Sequence, residues 1–138
     1  MRVFIDTGAF LALADASDSS HEDVSLTYQD MLEQGAALYT SNFIIDEAVT
    51  LIRARVNHRA AVAFLKNLDI SGVKALRVTE EDERAAREIF IKYKDKDFSY
   101  TDCTSFFLIE KLGIDAVLTL DEHFRQYNFK RAVNRLLL

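Results

Sequence analysis

The chain of 138 residues contains no proline, four glycines and a single cysteine, Cys103. One cysteine rules out an intrachain disulfide and fits a reducing compartment such as the cytoplasm. Hydrophobic residues make up 49% of the sequence but fall in short segments. None approaches the roughly 20 apolar residues that a membrane-spanning helix needs. Asp6 interrupts the first apolar run, and no small-residue cleavage pattern follows it, so no signal peptide is expected. Without proline, punctuation falls to Gly35, Gly72, Gly113, Asn57 and polar clusters. Linkers, internal repeats and low-complexity tracts are absent. The length suits one domain over residues 1–138 and is short for two.

A basic excess is also missing. The formal charge is −5, which at first argues against nucleic-acid binding, since phosphate contacts draw on a basic surface. Setting aside four acids that stand in apolar surroundings, Asp6, Glu47, Asp102 and Asp121, leaves −1. Divalent ions bound there would make the site attractive to phosphate. Basic residues bunch at Arg53, Arg55, His58 and Arg59, and again at Arg125, Lys130, Arg131 and Arg135. Arg53, Arg55 and Arg59 are candidates for steering a polyanion; a solvated helix face explains the same pattern.

What is present is an alternation of short β-rich runs with longer helical segments, the pattern of a parallel sheet covered by helices. Strands are expected at Arg2–Ile5, Ala37–Thr40, Val73–Val78 and Ala116–Leu120, with a weaker fifth around 129–133. Val24, Tyr28, Met31 and Leu32 repeat at helical spacing, as do Ala85, Ala86, Ile89, Phe90 and Tyr93. Ser20 with Asp23, and Thr79 with Asp82, read as capping boxes. The acidic run 80–83 suits the first turn of a helix. Lys94 to Asp97 reads as a charged loop before another helix, capped by Ser99 or Thr101.

The four acids separate from their neighbours by position. At about 100° per residue, Asp46 shares a face with Thr50, Arg53 and Asn57 and points to water, whereas Glu47 aligns with Phe43, Leu51 and Ala54 and points inward. Asp102 likewise lies beside Phe106 and Ile109. Asp6 and Asp121 each end a presumed central strand, and open parallel sheets collect ligands at that edge. A bare acid cluster repels itself, and a divalent cation is the usual remedy. Thr7 is read as a helix cap or a partner of a bound water; for His123 the choice lies between a base or metal ligand and an incidental residue of a polar turn, and the second is preferred.

The segment Phe4 to Ala9, FIDTGA, looks like the Asp-Thr-Gly-Ala element of retroviral-type aspartic proteases, which would place Asp6-Thr7-Gly8 at a dimeric active site. That family is mostly β, and the match explains none of the other acids. Four segments taken together, FIDTGAFLAL (residues 4–13), SNFIIDEAVTLI (41–52), DFSYTDCTSF (97–106) and AVLTLDEHF (116–124), resemble the PIN-domain family and, more narrowly, its VapC-type toxin branch. The resemblance implies an α/β/α sandwich around a central parallel sheet of about five strands. It matches Asp6, Glu47, Asp102 and Asp121 to an acidic metal-binding quartet, and Thr7 and Ser99 to accessory hydroxyl positions. It implies Mg²⁺- or Mn²⁺-dependent cleavage of RNA, a cognate antitoxin and a homodimer. One or two ions, held centrally by Asp6 and Asp102 with Glu47 and Asp121 assisting, would serve an in-line attack by water. Two alternatives stay open: an RNA-processing nuclease of the same family that is no toxin, and a non-catalytic module whose acids bind a partner or a structural ion.

Overall fold

Val3, Phe4 and Ile5 are all fully buried, a run that a strand tolerates only when both faces of its sheet are covered. A computed structural model describes residues 1–138 and shows that cover. Strand β1 (Arg2–Ile5) leads into helices α1 (Thr7–Ala14) and α2 (His21–Glu33), then β2 (Ala37–Ser41), α3 (Asn42–Arg55), α4 (His58–Ile70) and β3 (Lys74–Leu76). Helices α5 (Glu80–Lys92) and α6 (Tyr100–Lys111) precede β4 (Ala116–Leu118), the single turn α7 (His123–Gln126) and β5 (Asn134–Leu136).

All five strands are parallel, in the order β3-β2-β1-β4-β5. Helices α1 to α4 pack among themselves, and α5 packs on α6. Right-handed crossovers place these two groups on opposite faces, because β1→β2→β3 runs one way along the sheet and β3→β4→β5 the other. The sandwich expected from the sequence is the architecture observed.

Local chemistry accounts for most boundaries. The capping box at Thr79 forms: its hydroxyl accepts from Asp82 N–H at 3.2 Å, and Thr79 N–H donates to the Asp82 carboxylate at 3.0 Å. Asp82 also takes the Lys111 ammonium at 2.8 Å, which ties the start of α5 to the end of α6. Gly113, at φ +61°, supplies the left-handed residue that turns α6 toward β4.

Three expectations change. Ser20 does not cap α2 with its side chain; the preceding turn is held instead by Asp18, which accepts from Ser20 N–H at 2.8 Å. Thr7 is the first residue of α1 rather than its cap, since Asp6 occupies the N-cap position. The fifth strand is Asn134–Leu136, beyond the 129–133 window. Phe129 packs instead against Phe106 and Tyr127, so its apolarity belongs to an aromatic cluster under α6. Leu136 and Leu138 pack on the chain's own core, and Leu137 between them faces out.

Candidate active site

Strand register is what assembles the site. Ile5 pairs with Leu118, so Asp6 and Thr119, one residue further on, leave adjacent strands side by side. Thr119 is fully buried. Its hydroxyl donates to Asp6 Oδ2 at 2.9 Å and accepts from Asp121 N–H at 3.0 Å. One threonine thus fixes both strand-end acids.

Glu47 arrives on α3, which starts where Ser41 at the end of β2 accepts from Ile44 N–H. As the helical projection required, Glu47 is half-buried and Asp46 exposed. Thr7 Oγ1 donates to Glu47 Oε1 at 2.5 Å. Asp102 arrives on α6 in a capping box with Ser99, whose hydroxyl accepts from Asp102 N–H at 2.9 Å and whose N–H donates to Asp102 Oδ2 at 3.0 Å. Ser99 therefore acts by fixing Asp102 on its helix.

The four acids line one cleft of about 560 Å³, with Thr7, Gly8, Leu11, Leu51, Arg55, Leu120 and Glu122. Of the three candidate steering arginines only Arg55 lines it; Arg53 and Arg59 are exposed elsewhere on α3 and α4. Asp6-Thr7-Gly8 sits at a strand-to-helix junction of a parallel sheet, which removes the mostly-β setting that the protease reading needs.

His123 is a correction. Its Nδ1 lies 2.7 Å from Asp102 Oδ2 and 3.4 Å from Asp121 Oδ1, and its backbone N–H donates to that same Asp121 oxygen at 2.9 Å. A carboxylate only accepts, so Nδ1 is the donor to Asp102. The ring stands edge-on to Phe98, centroids 5.5 Å apart. Asp102, Asp121 and His123 bring their ligating atoms within 4.8 Å of one another; Asp6 and Glu47 line the same cleft but stand outside that group. Thr119 carries no signal of a site residue in the sequence, and for His123 that signal is the weaker of two readings, because the partners that give them meaning lie 113 and 21 positions away.

Electrostatically the site is loaded. Asp6 is only 5% exposed. Burial, with smaller contributions from Asp102 and Asp121, pushes its pKa from 3.8 up to about 7, against the pull of Thr7 N–H and the Thr119 hydroxyl. Burial likewise holds Asp102 above the usual carboxylate range, opposed by Ser99 N–H and His123. Each acid is held by the protein through one oxygen: Asp6 Oδ2, Glu47 Oε1, Asp102 Oδ2 and Asp121 Oδ1. The other oxygen of each receives no side-chain hydrogen bond.

A five-stranded parallel sheet with four acids at the C-terminal ends of its central strands and on two flanking helices defines a class. Residues 3–130 match the PIN domain, and the chain belongs to the PIN-domain family. Among curated proteins it is 30% identical over 127 residues to the 23S rRNA-specific endonuclease VapC20 of Mycobacterium tuberculosis, covering 92% of this chain and 95% of that protein. It is 29% identical over 124 residues to Ribonuclease VapC26 of the same organism, covering 88% and 89%. The crystal structure of VapC20, a Sarcin-Ricin loop cleaving toxin, superposes with a TM-score of 0.80 at 28% identity, over 94% of this chain and 98% of that one. VapBC2 of Rickettsia felis, solved bound to a DNA fragment from its promoter, gives a TM-score of 0.70 over 98% of both chains; at 9% identity it shares the fold.

Proposed function

We propose that this protein is a Mg²⁺- or Mn²⁺-dependent endoribonuclease, the toxin of a toxin–antitoxin pair, acting as one nuclease domain in the cytoplasm. The observation that carries this reading is the half-tied quartet. Four carboxylates converge on one cleft, each fixed through one oxygen with the other left for a ligand. The donor set is rich in oxygen, which suits Mg²⁺ or Mn²⁺, and burial raises the pKa values of Asp6 and Asp102, so that a bound cation would stabilise their charged forms. Such an ion, held by Asp6, Asp102, Asp121 and Glu47, would supply Lewis-acid polarisation of the phosphate and lower the pKa of the attacking water.

The chain's own residues supply placement. Thr119 orients Asp6, Ser99 and His123 orient Asp102, and Thr7 orients Glu47, so that the carboxylates need little reorganisation when substrate arrives. The untied Oε2 of Glu47 and Oδ2 of Asp121 are the acceptors that would align a water against the phosphodiester. Water is the nucleophile in this reading, and an RNA strand the substrate. VapC20 and VapC26 are named for RNA cleavage, which supports RNA as the substrate class and makes ribosomal RNA the first to try. An antitoxin partner and a homodimer complete the proposal; the description of VapC20 as a toxin supports the first.

The test is cleavage of end-labelled RNA with Mg²⁺ or Mn²⁺. Wild type should cut and chelation should stop it. Asp6→Asn and Asp102→Asn should fall by about 10²-fold or more with unchanged circular dichroism, and Asp46→Asn should match wild type. Cutting that survives chelation, or an active Asp6→Asn, would defeat the reading.

A further inference from the structure

Beyond the acids, the cleft holds one cation. Arg55 is the only lysine or arginine that lines it, and its guanidinium forms no ion pair and no hydrogen bond with the protein. Glu122, the other exposed charge of the cleft, faces Arg125 at 3.5 Å instead. Arginine presents a planar fork of donors that fits phosphate bidentately, and an unpaired one beside five carboxylates is the group that a polyanion entering this cleft would meet.

Its spacing gives that contact a direction. Glu47, Leu51 and Arg55 stand one helical turn apart on α3 and line the same cleft. At 1.5 Å per residue, Arg55 lies about 12 Å along the helix axis from Glu47, with Leu51 about halfway. Leu11 and Leu120 line the cleft as well. Along α3, therefore, an acid of the site and a free cation stand about two turns apart, with an apolar side chain between them.

We propose that Arg55 binds a phosphate of the RNA strand beside the scissile one, with the intervening nucleoside lying over Leu51. Arg55 is here a binding residue that sets where the strand lies along α3, and the assignment rests on the nuclease reading above. The scissile phosphate stays with the quartet, and a neighbouring phosphate on one side only depends on Arg55.

Binding and kinetics test the assignment. Fluorescence anisotropy of labelled single-stranded RNA should show Asp6→Asn/Arg55→Ala binding about tenfold more weakly than Asp6→Asn at 50 mM salt, and log K should fall less steeply with log[salt] by about 0.7, the value for one lost phosphate contact on a single strand. In the cleaving enzyme, Arg55→Ala should raise KM by a similar factor with kcat within about twofold, Arg55→Lys should recover part of the loss, and Lys66→Ala, on the exposed side of α4, should match wild type. Oligonucleotides shortened on one side of the cut should lose the Arg55 effect, and those shortened on the other should keep it. Equal affinity and equal salt slope with and without Arg55 would overturn the proposal. So would a fall in kcat alone with a shifted Mg²⁺ midpoint, which would make Arg55 part of the acids' charge balance. If wild type cleaves no RNA, the nuclease reading fails by itself, and the anisotropy comparison still decides whether Arg55 holds a strand.

Discussion

Asp6→Asn should make the metal-free protein more stable at pH 8 while removing its activity. Burial raises the Asp6 pKa from 3.8 to about 7. A carboxyl whose folded pKa exceeds its unfolded value favours the folded state at low pH, and that contribution is lost as pH rises through the folded value. The shift is worth about 4 kcal/mol in full, roughly 3 kcal/mol of it lost between pH 5 and pH 8. Asparagine has the same shape, keeps an oxygen to accept the Thr119 hydroxyl, and does not ionise, so its stability should lack this loss. Urea titrations in EDTA at pH 5 and 8 give the needed quantity, the difference between wild type and variant at each pH. That difference should grow by roughly 3 kcal/mol in favour of Asp6→Asn at the higher pH. Millimolar Mg²⁺ at pH 8 should stabilise wild type by linkage and the variant far less. A difference that does not change with pH would refute the claim that Asp6 is a carboxylate awaiting a countercharge.

Thr119→Val keeps the shape of the side chain but removes the hydroxyl shared by Asp6 and Asp121; cleavage should drop by about tenfold or more and Thr119→Ser should restore it, measured as initial rates with Mg²⁺. His123→Phe keeps a ring against Phe98 and removes the donor to Asp102, so the Mg²⁺ concentration for half-maximal activity should rise by about 10- to 100-fold, with little change in the urea midpoint. Cys103 is fully buried, and burial with the nearby Asp102 pushes its thiol up to about 12. A thiol reagent at pH 8 should therefore label it only on denaturation.

The four acids were legible because charge inside an apolar pattern is a strong local anomaly. Glu47 could be told from its neighbour Asp46 since α3 is regular enough for a projection to hold. The central strands were equally plain: β1 and β4 are continuous apolar runs. β5 was misplaced because three residues, Asn134, Arg135 and Leu136, carry too short a pattern to show a period, while Phe129 and Val133 nearby are apolar for other reasons. Thr119 reads as one more strand residue in AVLTL until the register of β1 against β4 sets it beside Asp6. His123 looked incidental for the same reason, its meaning resting on a helix placed next to it by the sheet.

The strand order has a further consequence. From β1 the chain departs toward β2, on one side; from β4 it departs toward β5, on the other. Two neighbouring strands whose exits diverge leave a gap that no connection crosses, and Asp6 and Asp121 stand on its two lips. The crevice thus comes with the wiring of the sheet and asks nothing of any particular loop. Chains with little sequence in common can keep such an opening, and with it a place for acids, for as long as they keep the order of their strands.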